Sequence, residues 1–145
     1  MRNKLILVFI LAASIQGFSQ SVVYYPFNSL MSVSTNPNNR VWMDVRFQTN
    51  SYFSSLSTEF SPMVNLNKNP KARFYVGAGA KFNFLNDLAD KDILEGYFLN
   101  IGFRSSPFEK YKKIQFAFEL SPYAVSNFEL GIFRTHLGIG YNFSR

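Results

Sequence analysis

Lys71 to Phe84 reads K-A-R-F-Y-V-G-A-G-A-K-F-N-F, a period of two held over fourteen residues. Ala72, Phe74, Val76, Ala78, Ala80, Phe82 and Phe84 fall on one face, and Arg73, Tyr75, Gly77, Gly79, Lys81 and Asn83 on the other. Successive side chains of a strand point to opposite faces, so the pattern is that of one long strand. Ordinary strands run to about 5–6 residues. A strand that crosses a bilayer at a tilt needs ~9–11 residues. This stretch is long enough.

The alternation recurs along the chain. Arg40 to Thr49 sets Val41, Met43, Val45 and Phe47 against Trp42, Asp44, Arg46 and Gln48. Ser55 to Leu66 sets Leu56, Thr58, Phe60, Pro62, Val64 and Leu66 against Ser57, Glu59, Ser61, Met63 and Asn65. Pro62 removes a ladder donor and suits an edge or a bulge. Glu95 to Arg104, Lys113 to Pro122 and Gly131 to Phe143 continue the pattern, with Asn28 to Thr35 as a weaker strand. Asn36-Pro37-Asn38-Asn39 and Asn67 to Pro70 read as turns, Asn86 to Asp92 as an acidic loop, Ser105 to Lys112 as a basic turn and Tyr123 to Glu129 as a loop. Seven strands are plain. Single-chain bacterial barrels have even strand numbers, so Ser21 to Tyr25 is expected to supply an eighth. The expected fold is all-β: an antiparallel up-and-down transmembrane barrel.

Arg2 and Lys4, the apolar run Leu5 to Ala13 and the polar tail Ser14 to Gln20 have the layout of a secretory signal peptide. The leader is placed at 1–20, with cleavage close to Ser19, and a single domain at 21–145. Loss of Arg2 and Lys4 lowers the formal charge from +6 to +4. An exported chain seldom meets nucleic acid, and the lysines cluster in turns, where anionic headgroups or water are the fitting partners. The chain has no cysteine, which excludes disulfides and thiolate metal sites.

Alternation alone leaves open which face meets lipid. A soluble lipocalin-like carrier would turn its apolar face inward. Here the polar faces hold small residues (Gly77, Gly79, Gly102, Gly138, Gly140, Ala117), sparse for a solvated exterior and suited to a crowded lumen. Bulky aromatics dominate the other faces, which suits acyl chains and interfacial girdles. The expected location is the outer membrane, with its lipids as partners.

The last segment, G-I-F-R-T-H-L-G-I-G-Y-N-F, resembles the terminal strand of outer-membrane barrel proteins. The resemblance implies that the barrel-assembly machinery reads Leu137, Ile139, Tyr141 and Phe143. It extends to the mature chain as a whole, which is similar in pattern to small outer-membrane β-barrel proteins. Ser144 and Arg145 follow the aromatic, which such proteins usually place last.

The G-A-G at Gly77 to Gly79 lies inside a continuing strand with no helix after it, so it does not read as a phosphate loop. His136 is the chain's one histidine, too little for a metal site. His136 as base, Ser121 as nucleophile and Glu119 as orienter would make a lipid-modifying enzyme. A closing hairpin centred on Tyr123 to Glu129 instead sets Glu119 opposite Arg134 and Ser121 opposite Ile132, leaving Ser121 and His136 ~13 Å apart. The expectation is therefore a non-enzymatic protein without cofactor or metal. Its lumen would be filled by Asp44, Arg46, Glu59, Arg73, Lys81, Arg104, Glu119, Arg134 and His136, with charges paired because they are shielded from water.

Overall fold

The computed structural model describes residues 20–143; the expected leader, apart from Gln20, and Ser144 and Arg145 lie outside them. Eight strands follow one another: β1 (Ser21–Tyr25), β2 (Leu30–Ser34), β3 (Val41–Gln48), β4 (Ser57–Asn65), β5 (Ala72–Asn83), β6 (Leu94–Ser105), β7 (Ile114–Val125) and β8 (Gly131–Asn142). Each pairs antiparallel with its neighbours in sequence, and β1 pairs with β8 to close the barrel. Ser21 to Tyr25 is thus the eighth strand, as parity required. It zips onto β8 from Ser21 opposite Asn142 to Tyr24 opposite Ile139.

Both described termini share one end of the barrel, where the Phe143 amide donates to the Gln20 carbonyl at 2.8 Å. The turns 35–40, 66–71 and 106–113 lie at this end, and the loops 26–29, 49–56, 84–93 and 126–130 at the other. Asparagines shape the turns. Asn36 Oδ1 accepts from the Asn38 amide at 2.9 Å, Asn69 Oδ1 from Lys71 at 3.0 Å and Asn127 Oδ1 from Glu129 at 3.2 Å. These are Asx turns, in which a side chain stands in for a backbone acceptor. The left-handed positions are Ser29, Leu56, Asp90 and Phe128, and no described glycine has positive φ.

Four strand glycines, Gly79, Gly96, Gly102 and Gly138, sit beneath aromatic rings. A Cβ on Gly102 would lie 2.2 Å from Cζ of Tyr75, its cross-strand neighbour, and one on Gly138 would lie 2.7 Å from Cδ1 of Tyr25. The two rings approach the wall closely because Gly102 and Gly138 lack side chains.

Two prolines interrupt the ladders without shifting register. Pairing between β4 and β5 runs from Ser57–Asn83 to Phe60–Ala80 and resumes at Met63–Gly77, on either side of Pro62. Pairing between β6 and β7 breaks between Phe98–Tyr123 and Ile101–Leu120, beside Pro122. A closed barrel has no edge to offer proline, so the gap replaces the expected edge or bulge. Next to Pro62, Ser61 Oγ donates to the Ala78 carbonyl at 3.1 Å, supplying a donor where proline has none. Pro122 likewise does not end its strand. β7 continues to Val125, so Tyr123 to Val125 are strand residues rather than the start of a loop.

Candidate functional site

The lumen is where the chain concentrates its polar chemistry. Asp44, Arg46 and Glu119 have no accessible surface. Asp44 and Arg46 are two apart on β3 and therefore point the same way, inward. Arg46 Nε donates to Asp44 Oδ2 at 2.6 Å, and its Nη1 lies 2.7 Å from Glu119 Oε2 on β7. Ser32 Oγ donates to Asp44 Oδ1 at 2.5 Å. Tyr25 donates to Glu119 Oε1 at 2.8 Å, and Tyr75 donates to the same oxygen. One guanidinium is held between two carboxylates, and hydroxyls from three further strands bond one oxygen of each carboxylate. Gly102 and Gly138 admit the two tyrosine rings, so the glycine pattern and the charge network form one device.

A second group lies toward the loop-bearing end. Arg134 Nη1 donates to Glu59 Oε1 at 2.6 Å and Nη2 to Ser121 Oγ at 3.1 Å. Its guanidinium lies 4.9 Å from the Tyr123 ring centre and 5.3 Å from that of Phe98. Lys81, opposite Glu59 in the ladder, pairs with Glu95 at 2.8 Å. A register shift sets Lys81 opposite Gly96 but Phe82 opposite Leu94, which leaves Glu95 as the extra residue. A bulge re-aims the side chain it carries, here toward Lys81 and the Asn83 amide, whose Nδ2 donates to it at 3.0 Å.

A third group closes the terminus-bearing end. Trp42 Nε1 donates to Asn65 Oδ1 at 3.2 Å, and Asn65 Nδ2 donates to the Pro37 and Asn39 carbonyls at 2.8 and 2.6 Å. Arg73 Nη1 donates to the Pro37 and Asn38 carbonyls at 3.1 and 2.6 Å. Arg104 stacks on Trp42, 4.5 Å from the ring centre, with Tyr75 at 5.4 Å.

Two expectations are corrected. Glu119 does not face Arg134: its ladder partner is His136, and Arg134 is opposite Ser121. The error is two residues and comes from Pro122. Reading the proline as a strand end placed the hairpin's centre too early, whereas the Val125 amide bonds the Leu130 carbonyl across a short loop. Arg73 also stands apart from the lumen network, gripping turn carbonyls instead.

The enzyme constellation gains proximity from the true register but not contact. Ser121 Oγ accepts from Arg134, and neither His136 ring nitrogen has a hydrogen-bond partner. A base and its nucleophile need to lie within hydrogen-bond reach. His136 instead meets the edge of the Tyr25 ring, centroids 5.6 Å apart. No cluster of three metal-ligating groups occurs among the described residues. Tyr25, Tyr75, Ser32 and Trp42 join the network without carrying charge, and Glu95 joins it from a position that plain alternation turns outward. Trp42 and Tyr75 were visible as bulky residues on the inward register; Glu95 was not, because the bulge re-aims it.

Comparison with protein-family models, with curated proteins and with solved structures found no match.

Proposed function

We propose that the protein is a non-enzymatic outer-membrane β-barrel with a side-chain-filled lumen, serving a structural or accessory role in the envelope. One observation carries this reading: the barrel is apolar outside and charged inside. Val41, Phe74, Leu99, Ile101, Phe133, Leu137 and Ile139 are each at least half exposed, whereas Asp44, Arg46, Glu59, Arg104 and Glu119 are buried. Soluble monomers rarely expose apolar patches beyond a few hundred Å². A barrel wall surrounded by acyl chains needs this distribution. A soluble lipid carrier needs the reverse, an apolar lumen, and the ionic network occupies that space.

The same network supports a closed barrel rather than a pore, since eight strands leave an interior just wide enough for side chains to fill. Leu137, Ile139, Tyr141 and Phe143 lie exposed along the outer face of the terminal segment, where assembly machinery reading that strand would find them. The test is fractionation of cells followed by detergent extraction. Recovery in the outer-membrane fraction is expected, and a soluble periplasmic monomer would contradict the reading.

A further inference from the structure

The two ends of the barrel differ in charge. Among the described residues, the turns of the terminus-bearing end carry Arg40, Lys68, Lys71, Lys110, Lys112 and Lys113 against one carboxylate, Glu109. The loops of the opposite end carry Asp87, Asp90, Asp92 and Glu129 against Lys91. The basic end is also hollowed. A cavity of about 1040 Å³ is lined by Lys71, Arg73, Lys112 and Lys113, among others. A second, of about 400 Å³, shares Arg73 and adds Arg40 and Lys68.

Beneath these cavities Arg73 and Arg104 lie side by side in the wall, neither in a direct ion pair with a carboxylate among the described residues. Arg73 and Arg104 are direct partners in the β5–β6 ladder, and like charges placed opposite each other destabilise a sheet. Arg104 is buried, and its Nε, Nη1 and Nη2 have no hydrogen-bond partner. Glu109 answers only Lys71, in an exposed pair at 2.9 Å. Elsewhere in the lumen the arginines contact carboxylates directly; Arg104 meets Asp44 and Glu119 only at longer range, and Arg73 bonds turn carbonyls.

We propose that the basic end binds phosphate esters, with Arg73, Lys112 and Lys113 as the principal contacts. A phosphate group offers several acceptor oxygens to guanidinium and ammonium donors, and arginine recognises it through a planar fork. If the barrel spans a membrane, the source is the headgroup of an anionic phospholipid; this clause alone rests on the membrane reading. Exposed Phe108, Tyr111, Tyr141 and Phe143 at the same end suit the headgroup level.

Trp42, the one tryptophan of the chain, gives the experiment its signal. It bonds Asn65, and Asn65 and Arg73 bond the same Pro37 carbonyl. A ligand on Arg73 therefore perturbs the tryptophan's surroundings. Purified barrel is refolded into phosphatidylcholine vesicles with rising phosphatidylglycerol, and in parallel is titrated with glycerol phosphate in detergent. A saturable change in Trp42 emission is expected in both arms. Arg73→Gln, and separately the turn double variant Lys112→Gln/Lys113→Gln, should weaken apparent affinity roughly fivefold per charge removed. Asp87→Asn/Asp90→Asn at the other end should leave it unchanged. Heat-dependent gel mobility checks that each variant is folded.

A response to glycerol phosphate but not to phosphatidylglycerol supports the site with a soluble phosphate ester as its source. That outcome, joined to recovery as a soluble protein, would separate failure of the membrane reading from failure of the site. An equal response to neutral vesicles, no response in either arm, or variants that bind like wild type would overturn the proposal.

Discussion

Arg46 and Arg104 are both buried arginines on inward-facing strand positions, yet their surroundings are opposite. Arg46 contacts Asp44 and Glu119 directly. Arg104 contacts aromatic faces and has no hydrogen-bond partner. The mid-lumen carboxylates are therefore met by Arg46 directly and by Arg104 at longer range, whereas the turns of the terminus-bearing end carry an excess of positive charge. A balanced layer fixes a structure, because removing either member leaves an uncompensated buried charge. A layer with excess charge remains able to recruit a counter-charge from outside.

The largest effect should come from substituting the two arginines in turn. Arg46→Met is expected to destabilise the barrel by about 3–5 kcal/mol, since it leaves two carboxylates buried without their cation. Arg104→Met should cost less, about 1–2 kcal/mol, from the lost cation–π contacts and the loss of a longer-range counter-charge to Asp44 and Glu119. Urea unfolding in detergent reads both values. Equal losses would erase the distinction between the two layers.

Gly102→Ala should come next, at about 1–3 kcal/mol from overpacking. The new methyl would collide with the Tyr75 ring and push its hydroxyl off Glu119. Pairing the variant with Tyr75→Phe sharpens the point: if the ring is displaced as described, the two effects should be less than additive in a double-mutant cycle.

The pair Glu59–Arg134 should couple by about 1 kcal/mol, less than the mid-lumen network, since the arginine is partly exposed. Glu119 and Arg134 should show no comparable coupling, because the closing register separates them. A strong Glu119–Arg134 coupling would restore the discarded register. The exposed Lys71–Glu109 pair defines the bottom of the scale, with Glu109→Gln changing stability by ~0.5 kcal/mol or less.

Much of the barrel was legible because a two-residue period needs no tertiary information. Phe98, Asn100, Gly102 and Arg104 face inward as the alternation of β6 requires, with Tyr97, Leu99 and Ile101 outward. Parity supplied β1, whose five residues are too short to stand out alone. What failed was register, and it failed at proline. Pro122 looks like a terminator, but a closed barrel flanks it with ladders on both sides and loses only local pairing. Two residues of displacement were enough to exchange the partners of Glu119 and Arg134. The tyrosines that hold Glu119 were less legible, because their role depends on Gly102 and Gly138 in adjacent strands. Glu95 was hidden by its bulge. The charge excess of the terminus-bearing end was readable as lysine-rich turns; the pairing of Arg73 with Arg104 required the register.

Single-cysteine spin labelling tests the central claim most directly, and a chain without native cysteine is ready for it. Labels at Leu99, Ile101, Leu137 and Ile139 on the outer wall, with Asp90 in a loop as control, are placed in the barrel reconstituted in vesicles. Collisions with oxygen, which enriches in acyl chains, are compared with those of a water-soluble nickel complex. The account predicts that the four wall positions meet oxygen and exclude nickel, while Asp90 does the opposite. Nickel access along the wall comparable to that at Asp90 would show that the apolar face does not meet lipid, and would contradict the account.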